Sequence, residues 1–168
     1  MVHVMVTGHR PDKLGGYDLP NPTEQWVRAT LRSLLEGFLR KHGDVTAISG
    51  MAIGADQIYC EVALDLGVPV IAAVPFEGQE SMWSRASQDH YHALLGRCAQ
   101  IEYICDPGYE LWKMHHRNQW LVDQADFALA VWNGSSGGTG DTVRRIMKAG
   151  VPAVQLNPST RRVQRLVG

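Results

Sequence analysis

The sequence predicts an α/β fold in which a mainly parallel β-sheet carries helices on both faces. Strand-like and helix-like segments alternate along the whole chain, which is the pattern of parallel sheets joined by right-handed crossovers. The run Val68–Val74 is almost wholly apolar, as expected of a strand buried on both faces. With 168 residues and no internal repeat or linker, we expect one domain over residues 1–156, followed by a polar tail at 157–168.

Each strand is predicted from a short β-branched or apolar run that ends at glycine, proline or a polar turn. The predicted strands are Val2–Thr7, Val45–Ser49, Val68–Val74, Gln100–Cys105, Asp126–Trp132 and Pro152–Leu156. Helices are predicted between them from apolar spacing and from start and stop signals. They cover Pro22 to about His42, Ala55–Leu66, about Glu80–Gly96, Glu110–Gln124 and Asp141–Ala149. The first has the clearest start, because Asn21 can cap it and Pro22 can occupy its first position.

Composition excludes several classes of protein. The chain is 45% hydrophobic and 20% charged, with a net charge of -1, so it has no bulk positive field to gather nucleic acid or anionic lipid. Its longest apolar run is far shorter than the ~20 residues of a membrane helix, and its N-terminus resembles a strand rather than a signal peptide. Three cysteines without a CxxC pair argue against a disulfide framework. We therefore expect a cytoplasmic protein without membrane association.

Glycine-containing turns follow three predicted strands, at Gly8, Gly50–Gly54 and Gly134–Gly140. The carboxyl ends of parallel strands share one edge of a sheet, where ligands bind. The third turn precedes a helix, so its glycines and the free N–H groups of the first helical turn predict a phosphate cradle. The residues expected to hold phosphate are Gly137, Gly138, Thr139, Gly140 and Thr142. It is not a Walker A loop, because no lysine follows its last glycine, and an ordinary flexible surface loop is the alternative.

The other two turns are expected to complete the pocket. The residues assigned to it are Gly8, His9, Arg10, Gly50, Gly54, Asp56 and Arg117. Asp56 could accept hydrogen bonds from ribose hydroxyls, or could simply be a helix-start residue favoured by the dipole. Arg117 is a second candidate for anion binding, one helix away. His9 could act as a general acid or base, as a hydrogen-bond donor, or only as a structural residue of the turn.

The histidine spacing does not predict a metal site. His90 and His92 are two residues apart and His115 and His116 are adjacent, so on a helix neither pair faces one side. We expect no metal and no resident cofactor, only a nucleotide-type ligand.

Several short motifs occur in the order and spacing of a known family. They are Thr7-Gly8-His9-Arg10-Pro11 with Leu14, Gly16 and Tyr17; Gly50 to Asp56 with Glu61; Pro75-Phe76, Gln79, Trp83 and Tyr91; Arg117-Asn118, Trp120, Val122 and Asp123; and Gly137-Gly138-Thr139 with Thr142. Together they extend from residue 6 to about residue 156. The chain resembles the YpsA-like proteins of the SLOG superfamily, which also includes the LOG phosphoribohydrolases and DprA. The resemblance implies a Rossmann-like fold that binds nucleotides or nucleotide-derived molecules, in a bacterial or phage protein.

The resemblance leaves three functions open. They are the sensing or sequestering of a nucleotide or ADP-ribose-like molecule, LOG-like N-glycosidase activity, and DprA-like binding of single-stranded DNA. LOG enzymes carry a motif similar to PGGxGTxxE with a catalytic glutamate, but here that position is Arg144. This leaves Asp56, Asp141 and His9 as candidate catalytic residues. Both carboxylates lie at predicted helix starts, where the dipole favours the ionised form. We expect a nucleotide binder rather than a DNA binder, and a homodimer by analogy with related folds.

Overall fold

The computed structural model describes residues 1–167, which form one seven-stranded sheet. The strands are β1 (Val2–Gly8), β2 (Val45–Ser49), β3 (Val70–Val74), β4 (Gln100–Tyr103), β5 (Phe127–Val131), β6 (Ala153–Asn157) and β7 (Arg162–Val167). Their order across the sheet is β4-β3-β2-β1-β5-β6-β7. All neighbouring pairs are parallel except β6 and β7, which are antiparallel. The chain order therefore reverses at β1, with β2 on one side and β5 on the other.

Five α-helices connect the strands. They are α1 (Pro22–His42), α2 (Ala55–Asp65), α3 (Arg85–Leu95), α4 (Leu111–Gln124) and α5 (Gly138–Ala149), and a short 3-10 helix covers Pro11–Lys13. The start of α1 is as predicted, because Asn21 Oδ1 accepts a hydrogen bond from the Glu24 amide at 2.9 Å. Helix α3 begins later than expected, since the Ser84 hydroxyl caps it by accepting from the Ser87 amide at 3.2 Å.

The helices cover both faces of the sheet, as the sequence predicts. Helices α1, α2 and α3 pack on the face that carries Val4 and Val6 of β1. Helices α4 and α5 pack on the opposite face, which carries Met5. This alternation along β1 follows from the pleat of a strand, whose successive side chains point to opposite faces. The sheet is thus buried between two helical layers, and its carboxyl edge is left for the loops.

Two further predicted boundaries are wrong. The segment expected to be a polar tail forms β7, which pairs with β6 from Ala153 to Asn157, and only Gly168 lies outside the described residues. Helix α5 begins at Gly138 rather than Asp141, so the last glycines of the preceding loop belong to its first turn. The earlier start places the free amides of that turn among the glycines.

Candidate functional site

A cleft of about 510 Å³ opens at the carboxyl edge of the sheet, where β1 and β5 are neighbours. Open α/β sheets bind ligands at such a reversal of strand order. The wall comes from the loop after β1, the start of α2, one face of α4 and the first turn of α5. It includes Gly8, His9, Arg10, Asp56, Arg117, Gly138, Thr139 and Thr142. The structure thus brings most of the predicted site residues together, in a volume typical of small-molecule sites.

The loop between β5 and α5 presents two glycines with open space beside them. A Cβ built at Gly137 or Gly138 would meet no atom of residues 1–167 within 4 Å. Gly138 is the first residue of α5, so unpaired backbone N–H groups of the first turn are available at the wall of the cleft. The first half of the loop is fixed, because Asn133 Oδ1 accepts a hydrogen bond from the Ser135 amide at 3.0 Å. Open glycines on a fixed loop, next to free amides, suit a phosphate group.

The other predicted residues of this turn also have packing roles. Thr142 is fully buried, and its hydroxyl donates to the Gly138 carbonyl at 3.1 Å, so it stabilises the turn itself. A Cβ at Gly140 would lie 2.9 Å from the Ser135 carbonyl oxygen, which explains the glycine there without a ligand. Thr139 is half-buried at the cleft wall and is the better placed of the two threonines to meet a ligand.

Two cations from the loop after β1 line the cleft. Lys13 Nζ donates to the Ser135 hydroxyl at 3.1 Å and so joins the first loop to the third. Arg10 is exposed at the same wall, and its charge acts on Asp56. Asp12 of the same segment also lines the cleft, so these two cations and one anion add one net positive charge there, in a chain whose net charge is -1. Arg10 is predicted from the sequence, whereas Lys13 is not, because Lys13 reaches the third loop only through the 3-10 turn.

The glycines of the β2–α2 loop serve internal packing, which corrects their assignment as pocket residues. A Cβ at Gly50 would lie 2.4 Å from Arg117 Nη1. A Cβ at Gly54, where φ is +111°, would lie 2.5 Å from the His9 carbonyl oxygen. In the described chain neither glycine lines the cleft. Gly8 does line it, yet a Cβ there would lie 2.4 Å from the first residue of α2.

Asp56 and Arg117 place opposite charges in the wall of the cleft. Asp56 Oδ2 accepts a hydrogen bond from the Ala52 amide at 3.2 Å. Arg117 Nη1 donates to the carbonyls of Gly50 and Ala73, at 2.9 and 3.1 Å. Burial raises the pKa of the Asp56 carboxyl, and the charge of Arg117 opposes this shift without cancelling it. Burial thus opposes the effect expected from the helix dipole at Asp56, and Arg117 is largely an anchor for the β2–α2 loop.

His9 ties the first loop to both of its neighbours. Its amide donates to the Val131 carbonyl at 3.0 Å, and its carbonyl accepts from the Ala55 amide at 3.1 Å. The Asn133 amide donates to its Nε2 at 3.0 Å. Burial lowers the pKa of the imidazole, which keeps the ring neutral near pH 7. These contacts favour the structural interpretation of His9 over the catalytic one.

Asp141 and Arg144 lie outside the wall of the cleft. Asp141 accepts a hydrogen bond from Arg145 Nε at 2.9 Å and lies 3.3 Å from His115 Nδ1 of α4. Partial burial opposes its ionisation, but the hydrogen bonds and charges of Arg145 and His115 outweigh it and lower the pKa of the Asp141 carboxyl. The Arg144 side chain is 68% exposed and lines a separate depression with Arg145 and Lys148. Asp141 therefore stabilises the contact between α4 and α5.

One face of α4 completes the cleft, and Arg117 is its only residue among the predicted ligand-binding residues. The other helix residues on this wall are Leu111, Met114, His115, Asn118 and Leu121. Met114 and Leu121 are three and four residues from Arg117, so helical spacing is a signal that could have found them. Tyr109 lies just before the helix and also lines the cleft. Only the folded loop places it there, and no sequence spacing indicates it.

A second cavity of about 280 Å³ shares the β2–α2 loop with the cleft. Its polar groups are paired with one another. Arg28 donates to Glu24 and to Glu61, each at 2.8 Å. His90 Nε2 lies 2.8 Å from the other oxygen of Glu61. Because these groups satisfy one another, the cavity offers a polar ligand fewer free partners than the cleft does.

Residues 1–167 contain no group of three or more His, Cys, Asp or Glu side chains that could hold a metal ion. No helix in the same range is both long and apolar enough to cross a membrane. The cysteines are free, and Cys60 Sγ lies 4.0 Å from Cys98 Sγ.

The fold and the cleft define a Rossmann-like α/β protein with an open cleft where its strand order reverses. Residues 4–151 match the YpsA family, described as the YspA SLOG family, and the chain belongs to that family. UPF0398 protein ABC2016 of Shouchella clausii is 26% identical over 77% of this chain and 72% of the relative. The uncharacterized SPbeta prophage-derived protein YoqJ of Bacillus subtilis is 27% identical over 72% of this chain and 80% of the relative. The resemblance drawn from the motifs is confirmed.

Two solved structures of DNA processing protein A share the fold. The Streptococcus pneumoniae protein aligns with a TM-score of 0.68 and 17% identity, over 93% of this chain and 50% of that chain. The Helicobacter pylori protein aligns with a TM-score of 0.64 and 22% identity, over 98% of this chain and 66% of that chain. This chain therefore spans half the length of the first structure, and the similarity confirms the fold class.

Proposed function

We propose that this chain binds a nucleotide or a nucleotide-derived molecule, such as an ADP-ribose-like compound, in the cleft. The observation that carries the proposal is the open glycine pair Gly137–Gly138 at the first turn of α5. Arg10 and Lys13 add positive charge at the same wall, so a phosphate there would meet both amides and cations. Asp56 would contact the sugar hydroxyls. Membership of a SLOG family supports a nucleotide- or DNA-related function at the level of the family.

A Gly138→Val substitution tests the phosphate site. The side chain would occupy open space at the wall of the cleft, so we expect the protein to stay folded and to lose at least about tenfold in affinity for AMP or ADP-ribose. Arg85→Val is the matched control, because it puts valine at the first residue of α3, outside the cleft. Calorimetric titration measures both variants. Unchanged affinity in a folded Gly138→Val protein would contradict the proposal.

One observation favours a second candidate function, nucleotide N-glycosidase activity. The raised pKa of the Asp56 carboxyl, in the wall of the cleft, is the direction that a general acid requires. However, the position of the catalytic glutamate in LOG enzymes carries Arg144, which lies outside the cleft. We therefore expect no free base from AMP, GMP, CMP or UMP when the incubations are separated by chromatography. Base release that is lost in Asp56→Asn and kept in Asp141→Asn would establish the hydrolase instead.

The shared fold raises a third candidate, single-stranded DNA, which the Helicobacter pylori protein is described as binding. With a net charge of -1, this chain should release few counterions on contact with a phosphate backbone. We expect weak binding to single-stranded DNA at physiological salt, measured by fluorescence anisotropy. Sub-micromolar affinity with a steep salt dependence would favour DNA over a nucleotide.

A further inference from the structure

Three apolar side chains from residues 109–114 form one part of the cleft wall. Tyr109 is 69% exposed and Leu111 is 61% exposed, and both line the cleft together with Met114. Single apolar residues on a surface need no explanation, but apolar residues gathered in a concave site indicate ligand binding. This wall differs in chemistry from the first turn of α5, where amides and cations line the same cleft.

A buried lysine holds the segment that carries Tyr109. Lys113 Nζ donates to the three carbonyls of residues 106–108, at 2.8, 3.3 and 2.9 Å. These bonds use all three hydrogens of the ammonium group, and Lys113 itself is buried. The loop that leads into Tyr109 is therefore fixed by a single side chain that does not line the cleft.

The Tyr109 ring also packs against an aromatic ring of the protein core. This ring belongs to the buried Phe76, and the two ring centroids are 6.0 Å apart. The two ring planes meet at 77°, which is an edge-to-face arrangement. The ring is thus braced, although most of its surface stays exposed. A braced ring loses little conformational freedom when a flat ligand stacks on it.

We propose that Tyr109 forms the nucleobase subsite of the cleft, with Leu111 and Met114 beside it and with Lys113 as the positioning residue. This inference rests on the proposed function, because the phosphate bound at α5 would hold the base in this part of the cleft. A nucleotide has a charged phosphate at one end and the flat faces of its base at the other. The cleft wall likewise has amides and cations in one part and apolar side chains in another. Stacking tolerates every base, and the larger face of a purine makes AMP a tighter ligand than UMP.

Calorimetric titration of the full chain with AMP and with ribose 5-phosphate separates the two subsites. We expect AMP to bind about tenfold more tightly than ribose 5-phosphate, since only AMP can stack. Tyr109→Ala should remove that difference and leave the affinity for ribose 5-phosphate unchanged, whereas Tyr109→Phe should keep it. Lys113→Met should reduce the difference in the same way. Tyr103→Ala is the matched control, because this tyrosine of β4 is 50% exposed but does not line the cleft.

The outcomes distinguish this inference from the function on which it rests. Equal affinity of the wild-type protein for AMP and ribose 5-phosphate would overturn the base subsite and leave the phosphate site standing. An equal loss for both ligands in Tyr109→Ala would also overturn it, because a merely structural tyrosine gives that result. No binding of either ligand would overturn both proposals. Binding of an oligodeoxythymidine that depends on Tyr109, without binding of AMP, would assign the ring to single-stranded DNA instead.

Discussion

The two glycine-rich loops at the carboxyl edge of the sheet use their glycines differently. In the loop after β2, the space beside Gly50 is filled by the Arg117 guanidinium, and the space beside Gly54 by the backbone of residues 9 and 10. In the loop after β5, Gly137 and Gly138 have open space beside them. A glycine required by packing and a glycine open to a ligand look the same in a sequence. They can be told apart only by what lies where a Cβ would be.

The largest effect that tests this comparison is expected for Gly54→Ala. The new Cβ would lie 2.5 Å from a carbonyl oxygen and 2.8 Å from a Cα, and backbone atoms cannot easily move away. With the added strain of φ at +111°, we expect a loss of about 3 kcal/mol in the free energy of unfolding. Gly134→Ala is the control, because φ is +92° there but a Cβ would meet no atom of residues 1–167 within 4 Å. It should cost about 1 kcal/mol.

Urea denaturation measures both variants under the same conditions. Equal losses in the two proteins would show that backbone conformation alone requires the glycine at position 54. The filled space beside Gly54 would then make no difference to stability, and the proposed contrast between the two loops would be wrong.

A smaller effect is expected for Gly50→Ala, because the new Cβ would meet a side chain rather than backbone. The contact is with Arg117 Nη1 at 2.4 Å, and this guanidinium is buried and hydrogen-bonded, so it cannot simply swing away. We expect a loss of about 2 kcal/mol. In an Arg117→Met background the same substitution should cost at least about 1 kcal/mol less, since the clashing atoms are gone. A double-mutant cycle by urea denaturation gives this coupling, and additive losses would show that Arg117 is not what requires the glycine.

The fold was largely predictable because its layers follow from residue patterns that are local in the chain. Alternating strands and helices predict the parallel sheet, and therefore also the edge at which the loops meet. The edge strand β7 was missed because four of the six residues of Arg162–Val167 are exposed and three are Arg or Gln, as in a polar tail. What makes it a strand is its pairing with β6, including a hydrogen bond between the Gln164 and Gln155 side chains at 2.8 Å. A pairing of this kind leaves little trace in hydrophobicity.

The site was predictable only in part, for a related reason. Strand ends and glycines predict which loops line the cleft, and these loops carry Arg10 and Gly138. Which glycines stay open depends on contacts between distant residues, such as Arg117 with Gly50, which are 67 positions apart. The placement of Tyr109 depends in the same way on the bonds that Lys113 makes within the folded loop. Such contacts have no periodicity that a sequence could display.

The smallest expected effect concerns His9, the residue that connects the two loops. Its carbonyl lies against Gly54 and accepts a hydrogen bond from the start of α2, and its Nε2 accepts one from the Asn133 amide at the start of the loop after β5. The backbone contacts of His9 do not depend on the charge of its ring, but a protonated imidazole could no longer accept from the Asn133 amide at Nε2. The pH dependence of stability therefore reports on the connection between the loops.

Burial lowers the pKa of His9 in the folded chain below its ordinary value of 6.5. Below that value the unfolded chain takes up a proton that the folded chain does not, so this contribution to stability is present above pH 6.5 and is lost as the pH falls. His9→Gln removes the titrating group but can still accept a hydrogen bond. All other residues are the same in both proteins, so their contributions cancel in the comparison. We expect wild type to exceed His9→Gln in stability at about pH 8 and the gap to narrow by about pH 5.5, measured by urea denaturation. A gap that stays constant or widens would show that the ring accepts a proton without disturbing either loop.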